Sequence, residues 1–152
     1  MASGDPKQFA LDISNFVKKA KGNVHAVTRK IVLDVGTRIV YRSPVGDASY
    51  WESPPPAGYI GGRFRANWQY GESVRPQGTL NTIDPKGNAT IAKLVAGVKP
   101  DAAGKIHWLS NSLPYASRLE YGWSRQAPSG MIGVTIVEFQ SIVRDAAASI
   151  NK

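Results

Sequence analysis

The residues that could act as nucleophiles, general acids or metal ligands are few in this sequence. It holds two histidines, His25 and His107, and no cysteine, which excludes disulfides, thiolate metal sites and cysteine nucleophiles. A serine triad can be written from Ser110 or Ser112 with His107 and Asp101, but nearness in sequence does not supply the geometry of a triad. The eleven carboxylates show no clustering typical of a metal or acid–base site. We therefore expect no enzyme activity, no metal and no cofactor, and we expect each histidine to be structural or exposed.

Positive charge and aromatic rings are mixed after residue 62, as in proteins that bind single-stranded nucleic acid. The residues concerned are Arg63, Arg65, Trp68 and Tyr70. The net charge of +8 is concentrated in residues 1–43, which carry eight Lys/Arg and three Asp/Glu. Such a balance favours polyanions or an acidic protein surface. The usual signatures of nucleic-acid-binding modules are not evident, so a basic nucleic-acid-binding or assembly-factor module is kept as the alternative function.

A long helix is predicted from Asp5-Pro6 to Ser43-Pro44. Asp5 can cap the helix and Pro6 suits its first turn. Gln8, three residues after Asp5, can complete a capping box. Apolar residues then repeat at intervals of three and four, which is typical of one helical face; they are Phe9, Ile13, Phe16, Ala20, Val24, Val27, Ile31, Val35 and Ile39. Pro44 ends the pattern.

This helix is too long for a compact chain of 152 residues. About 38 helical residues span about 57 Å, whereas the radius of gyration of such a chain is about 15 Å. Either the helix breaks or kinks at Lys21-Gly22-Asn23, or one end leans on a neighbouring subunit. We favour the break, because glycine inside a helix costs about 1 kcal/mol relative to alanine.

Residues 44–62 form a loop rich in proline and glycine, with Tyr50, Trp51 and Tyr59 between them. A loop of this length within a compact domain is usually functional or mobile. Exposed aromatic residues on it suit docking to a partner, and packing back onto the core is the alternative.

The remaining elements predict a single α+β domain over residues 1–152. Alternation predicts a strand over roughly residues 66–75 and another over residues 105–111, giving a small antiparallel sheet. Residues 90–98 fit a helix or a strand. Spacings of three and four predict a C-terminal amphipathic helix of about 20 residues, with apolar positions Ile132, Ile136, Phe139, Val143, Ala146 and Ile150.

Nothing in the sequence predicts a membrane protein. No run approaches about 18 apolar residues. The first residues lack the basic-then-apolar pattern of a signal peptide. We expect no membrane contact and synthesis in the cytoplasm.

Residues 114–130 carry the most distinctive run of side chains. Residues 115–121 can form about two helical turns, and Gly122 stands where a left-handed C-terminal cap belongs. The chain must then leave as a loop, and Pro128-Ser129 can open the next helix. The run is either a helix–loop–helix corner whose aromatic residues fill the core or a surface that carries function.

Three motifs resemble the tail-completion and head–tail joining proteins of tailed phages. In that family a long N-terminal helix leads to a segment like Ser-Pro-Val-Asp-Thr-Gly-Arg-Leu-Arg-Ala-Ser-Trp, which residues 43–47 and, after an insertion, residues 62–68 match. A later motif like Asn-x-x-Pro-Tyr-Ala-x-x-Leu-Glu-Tyr-Gly-x-Ser is matched by residues 111–124, and Gln-Ala-Pro-x-Gly-Met by residues 126–131. The family usually passes directly from Asp47 to Gly62, so this chain departs from it in the intervening loop.

The resemblance implies a non-enzymatic structural protein of the virion, made in the host cytoplasm. Such a protein forms a ring, typically of six copies, at the head-proximal end of the tail. Its partners would be other copies of itself, the tail-tube protein and the head-closure protein, with packaged DNA passing through the ring as a further contact. Ring closure needs two different faces on each subunit, for which loop 44–62 and the basic first helix are the candidates.

Eleven residues are predicted to contact a partner or a neighbouring copy: Tyr50, Trp51, Tyr59, Arg63, Arg65, Trp68, Tyr115, Glu120, Tyr121, Trp123 and Arg125. Four of them, Tyr115, Glu120, Tyr121 and Trp123, are also predicted to fix the corner that orients the last helix. The alternative for Glu120 is a local ion pair with Arg118 or Arg125, worth little on a surface.

Overall fold

The computed structural model describes residues 6–150, with the side chains of all of them except Pro6 and Phe9. Over this range the chain forms six α-helices, two strands and a short 3₁₀-helix at Ala48–Tyr50 within loop 44–62; the α-helices and strands are labelled here. In order they are α1 (Pro6–Arg42), α2 (Arg63–Ala66), β1 (Gln69–Glu72), α3 (Asn88–Gly97), β2 (His107–Ser110), α4 (Ala116–Glu120), α5 (Ile132–Val137) and α6 (Phe139–Ile150). The α+β prediction of a long first helix, a small antiparallel sheet and a helical C-terminal part is confirmed. Over the described range no helix is both long enough and apolar enough to span a bilayer.

Helix α1 is continuous, so the predicted break at Lys21-Gly22-Asn23 is wrong. Its 37 residues make a rod of about 55 Å. Gly22 is accommodated because it lies where the helix touches nothing else: no atom lies within 4 Å of the place its Cβ would occupy. The cap predicted at Asp5 lies outside the described residues.

The two halves of α1 have different surroundings. Residues 7–22 are exposed wherever their side chains are described. Further along the helix, the Nδ1 atom of His25 accepts the Ala103 N–H at 3.0 Å. We call residues 6–24 the projecting segment. From there to Arg42 the helix packs against α3, α5 and α6, so the expectation that the rod is longer than its own globule is confirmed.

The core lies around the C-terminal half of α1. One cluster joins Val40 and Ile39 to Phe64, Trp68 and Met131. A second cluster lies beneath α3 and consists of Leu94, Val98 and Ala102, packed against Val32, Leu33 and Tyr70.

Ile39, Val40 and Ser43 are buried at the C-terminal end of α1, and carbonyl groups there are satisfied by the side chains of Arg65, from α2, and of Ser43 itself. The guanidinium of Arg65 donates to the carbonyl oxygens of Tyr41 at 2.9 Å and Ser43 at 2.7 Å. The Ser43 hydroxyl donates to the Ile39 carbonyl and accepts the Trp68 indole N–H, both at 2.7 Å. The last carbonyls of a helix have no partner within the helix, so these contacts allow α1 to end inside the core.

The sheet has two strands, paired antiparallel with Gln69 opposite Ser110 and Glu72 opposite His107. The predicted second strand is confirmed, but the first is shorter than expected, because residues 63–66 form α2 and the fully buried Asn67 bonds to Arg63 and Leu80. Of the ambiguous residues 90–98, those up to Gly97 are helical and Val98 is the C-cap. The buried Asp84 starts that helix by accepting the Thr90 N–H at 2.8 Å, which offsets the effect of its burial and lowers its pKa.

The C-terminal helix is built as two segments, α5 and α6, interrupted at Glu138. Arg42 donates to Glu138 at 2.7 Å and Arg38 donates to its other oxygen. The bond from Arg42, the larger cause, and that from Arg38 lower the pKa of Glu138. These bonds tie the interruption to α1. Pro128-Ser129 does not open the helix, because those residues form a turn and α5 begins at Ile132.

Replacing Gly22 by alanine is expected to stabilise the projecting segment, because the helix is continuous there and nothing obstructs the new methyl group. A gain of about 1 kcal/mol corresponds to amide exchange slowed about fivefold around residue 22, provided that exchange follows local opening. Amide hydrogen exchange followed by NMR, in the variant and in the unmodified chain, measures this change.

Gly36→Ala is the matched control in the packed half of α1. A Cβ at Gly36 would lie 2.4 Å from a methyl of Leu94, which is buried and has little room to move. Overpacking costs about 1–3 kcal/mol, so this variant should gain nothing or lose stability. Unchanged exchange in Gly22→Ala would indicate a break at residue 22.

Candidate partner-binding groove

Loop 44–62 and the corner at residues 114–130 meet at an open groove of about 650 Å³. We call it the aromatic groove. It brings together seven of the eleven predicted interaction residues, namely Tyr50, Trp51, Tyr59, Arg63, Tyr115, Trp123 and Arg125. Sequence positions about 70 residues apart thus share one surface.

Loop 44–62 is held in place at its two ends. The backbone N–H of Val45 donates to the Gln126 side chain at 2.8 Å, and the Gly62 N–H donates to the Val45 carbonyl. Gly46 has a φ of +78° and lies against the Tyr59 hydroxyl, where a side chain would collide. Between the ends, the rings of Trp51 and Tyr59 stand 4.7 Å apart. The loop therefore packs against itself and the corner at its base and leaves aromatic surface exposed.

The floor of the groove is apolar and its rim is charged. Phe64 is buried beneath Tyr115, with ring centroids 6.1 Å apart. Burial raises the pKa of Tyr115, and the positive charge of Arg63, which also lines the groove, acts to lower it. On the loop side, a hydrogen bond from the Ser49 backbone lowers the pKa of Asp47, so this carboxylate is ionised at neutral pH.

Glu120 fixes the corner, as predicted, and it does so through the backbone. Its carboxylate accepts the N–H groups of Met131 at 2.9 Å, Ile132 at 3.0 Å and Gly133 at 2.8 Å, at the start of α5. Burial acts to raise its pKa, but these three bonds outweigh it and lower the pKa. The free N–H groups at a helix start favour a negative charge. No ion pair of Glu120 with Arg118 or Arg125 lies among the salt bridges of the described residues.

The prediction that Tyr121 and Trp123 fix the same corner is wrong. Their side chains are 83% and 73% exposed, because α4 ends at Glu120 and the chain turns outward through Gly122, which has the predicted left-handed conformation (φ +85°). The Trp123 ring contacts the Arg118 guanidinium, 5.2 Å from its centroid. These aromatic residues present surface and do not hold the core.

Two predicted interaction residues are structural instead. Trp68 is only 7% exposed and packs edge-on against Phe64. Arg65 donates to backbone carbonyls at the end of α1, to that of Pro85 as well, and burial lowers its pKa. Neither side chain is available to a partner in this conformation. The residues that close α1 cannot be told from binding residues by their types alone.

The candidate catalytic residues are bonded elsewhere. His107 lies between the Tyr70 hydroxyl, 2.8 Å from Nδ1, and the Ala102 carbonyl, 2.9 Å from Nε2. Ser110 donates to the Pro76 carbonyl, and Asp101 pairs with Lys105. Both histidines are structural, in agreement with the prediction. Within residues 6–150 no group of three His, Asp or Glu side chains is arranged to hold a metal ion.

The sequence alone did not identify the residues that hold loop 44–62 in place or those that attach α5 and α6 to α1. Gln126 was part of the Gln-Ala-Pro motif, but only the fold reveals its bond to Val45. Ser43, which was read as the end of a helix, also binds Trp68. The bonds between Arg42 and Glu138 join residues 96 positions apart, for which a single sequence carries no signal.

Comparison with protein-family models, with curated proteins and with solved structures returned no match to this chain.

Replacing Glu120 by glutamine should destabilise the fold by about 1–2 kcal/mol at neutral pH, since the bonds to α5 lose their charge. The folded-state pKa lies below the ordinary value of 4.5. The stabilisation is therefore complete above that value and is lost as pH falls through the folded-state pKa. Urea unfolding of both proteins should give a difference that shrinks as the pH falls below 4.5; a difference independent of pH would contradict this role.

The exposed and buried tryptophans should respond differently to alanine. Trp68→Ala removes a core ring and the bond to Ser43 and should cost about 3–5 kcal/mol. Trp123→Ala removes an exposed ring and a contact with Arg118, and should cost about 1 kcal/mol or less. Chemical denaturation measures both, and equal losses would contradict the surface role of Trp123.

Proposed function

We propose that this chain is a structural protein of a tailed-phage virion, where copies form a ring at the head-proximal end of the tail. The ring joins the tail tube to the head-closure protein. The observation that carries the proposal is the presence of two unlike exposed apolar surfaces on one subunit, the projecting segment of α1 and the aromatic groove. A closed ring needs two such different surfaces on each copy.

Exposed apolar residues are common one at a time, but a contiguous patch indicates an interaction site. The projecting segment exposes Ile13, Phe16, Val17 and Val24, which lie on one face of the helix. The groove exposes Tyr50, Trp51 and Trp123. Aromatic residues are enriched in protein interfaces, so both surfaces suit protein partners.

The sequence resemblance supplies the identity of those partners. The motif residues fall at positions with clear structural tasks: Glu120 starts α5, Gln126 seats the loop, and Trp68 closes the end of α1. A fold that uses these residues in this way explains why such motifs would recur in a family. The partners proposed are other copies of this chain, the tail-tube protein and the head-closure protein.

The alternative, a nucleic-acid-binding module, keeps one supporting observation. Lys18, Lys19 and Lys21 are exposed on the projecting segment. Of the aromatic residues predicted for such a module, Trp68 is buried and the Tyr70 ring stacks on that of His107. Base stacking needs open ring faces, so the structural role is favoured.

Electron microscopy of virions and isolated tails, with this chain located by label or by density, tests the proposal. We expect copies in a single ring between the tail tube and the head-closure protein. A label on the tail-tube protein is the positive control, and particles made without this chain should accumulate unjoined heads and tails. Absence of the chain from mature particles would overturn the structural role, and salt-sensitive DNA binding by the isolated chain would then favour the alternative.

A further inference from the structure

We propose that the outer edge of β2 binds an extended segment of another protein, which adds to the sheet as a further strand. This edge belongs neither to the projecting segment nor to the aromatic groove, so the inference goes beyond the proposed function and does not depend on it. It is carried by backbone groups that the edge leaves without a partner and by a groove that runs beside them.

The pairing of β1 with β2 fixes which backbone groups of β2 face outward. The Ser73 N–H donates to the Ile106 carbonyl at 2.8 Å, one pair beyond the end of the ladder. Hydrogen-bonded and non-hydrogen-bonded pairs alternate along an antiparallel ladder, so Trp108 is bonded to β1 and its neighbours His107 and Leu109 are not. The N–H and carbonyl groups of these two neighbours therefore point away from β1.

The outward groups of β2 have no partner in the part of the chain that the structure describes. Within residues 6–150, no hydrogen bond reaches the backbone N–H or carbonyl of His107 or Leu109. Among the described elements, β1 is the one that packs closely against β2. The two free positions lie about 7 Å apart and present the row of donors and acceptors that pairs with another extended chain. What matches this row is a polypeptide backbone, because its N–H and carbonyl groups repeat at the same spacing.

A groove of about 380 Å³ runs beside this edge, and we call it the edge groove. Four consecutive residues, 108–111, line it, whereas no residue of β1 does. Successive side chains of a strand point to opposite faces, so a groove that touches both faces of β2 and misses β1 lies along the outer edge. The opposite wall is formed by α4 and the start of α5, with Ser117 and Ile132 among its residues.

The floor of the edge groove is apolar. The buried side chains of Phe64, Trp68 and Met131 line it, together with the half-buried Leu109. Every second side chain of an added strand would point to this floor. The volume is at the lower end of the range for binding pockets, which suits one or two apolar side chains. Strand addition combines backbone hydrogen bonds, which give affinity, with pockets for alternate side chains, which give specificity.

Charge does not select the occupant. The charged residues that line the edge groove are Arg75 and Glu120, one of each sign, and the Glu120 carboxylate is occupied by three backbone N–H groups. The occupant is therefore defined by its extended backbone and by apolar side chains at alternate positions.

A second copy of this chain is a poor source of such a segment. Its own β2 edge is flanked by its own α4 and α5, so two such edges cannot approach to the strand spacing of about 4.8 Å. Loop 44–62 is held at both ends and contains Pro54, Pro55 and Pro56, which lack the N–H that strand pairing needs. We therefore assign the occupant to a different protein.

The outer edge of β1 is a less complete template and serves as an internal control. The Glu72 carbonyl already accepts the Val74 N–H at 2.8 Å. Among the described residues this leaves Tyr70 as the one residue of β1 whose outward N–H and carbonyl both lack a partner.

Amide exchange of the purified chain, followed by NMR, tests whether the edge of β2 is open. We expect the Leu109 amide to exchange at least about tenfold faster than the Trp108 amide, which is bonded to β1. The measurement is made at about 0.05 mM and about 1 mM chain, since weak contacts between copies are populated only at the higher concentration. A slow Leu109 amide at both concentrations would show that the chain covers its own edge, and protection only at the higher one would show that copies fill it; both overturn the inference.

A peptide library tests the occupant. Acetylated and amidated pentapeptides Thr-Xaa-Thr-Xaa-Thr, in which Xaa is Val, Leu, Ile, Phe or Tyr, are added to the isotope-labelled chain at up to about 5 mM, where contacts with a Kd of about 1 mM are populated. We expect the amide resonances of His107 and Leu109 to shift and the exchange of both amides to slow about fivefold. The matched control is the same library methylated on the three central backbone nitrogens, which keeps the side chains and removes the donors.

Ser117→Trp gives the matching change in the protein, because Ser117 is exposed on α4 and lines the edge groove; Ser117→Ala is its control. We expect the shifts to disappear with the methylated library and with Ser117→Trp, and to remain in Ser117→Ala. Shifts that persist with the methylated library, shifts at Tyr70 in place of Leu109, or no shifts at all would each overturn the inference. Because only purified chain and peptides are used, the result is independent of whether the protein is found in virions.

Discussion

The structure depends on one constraint: the last carbonyl groups of a long helix must find donors when that end is buried. Arg65 donates to the carbonyls of Tyr41 and Ser43, and the Ser43 hydroxyl donates to that of Ile39 while it accepts the Trp68 indole N–H. Arg65 and Trp68 come from the chain just after the loop. Because the chain after the loop must contact the end of α1, loop 44–62 begins and ends at the same place. Its two ends are joined by the hydrogen bond from the Gly62 N–H to the Val45 carbonyl. The aromatic groove forms because loop 44–62 must return to the C-terminal end of α1.

Helix α1 has a packed C-terminal half and an exposed N-terminal half, and its side-chain contacts explain the difference. Arg38 and Arg42 hold Glu138, between α5 and α6, and Arg29 donates to the carbonyls of Val95 and Val98 at the end of α3. These contacts occupy the helix from about residue 25 onwards. Before that point the stripe continues, and its apolar side chains that the structure describes are exposed. An apolar stripe that extends beyond the packed part of its helix is expected in a subunit whose remaining partners are other molecules.

Periodicity and turn chemistry predicted most of the fold, because both are local. The stripe of α1, the second strand, the helical C-terminal part and the left-handed Gly122 all follow from neighbouring residues. The break at Gly22 was wrong because it assumed that the helix had to stay within one globule. Trp68 and Trp123 could not be told apart, since burial depends on where α4 ends and on contacts from distant residues. The aromatic groove joins residues about 70 positions apart, which one sequence cannot reveal.

The central claim is that residues 6–24 are the part of this protein that assembly covers. The most direct measurement is hydrogen exchange by mass spectrometry, comparing the dilute isolated chain with the same chain in assembled particles. We predict fast exchange of residues 10–24 in the isolated chain and strong protection in the particle, with residues 29–42 protected in both. Equal exchange of residues 10–24 in the two states would contradict the claim.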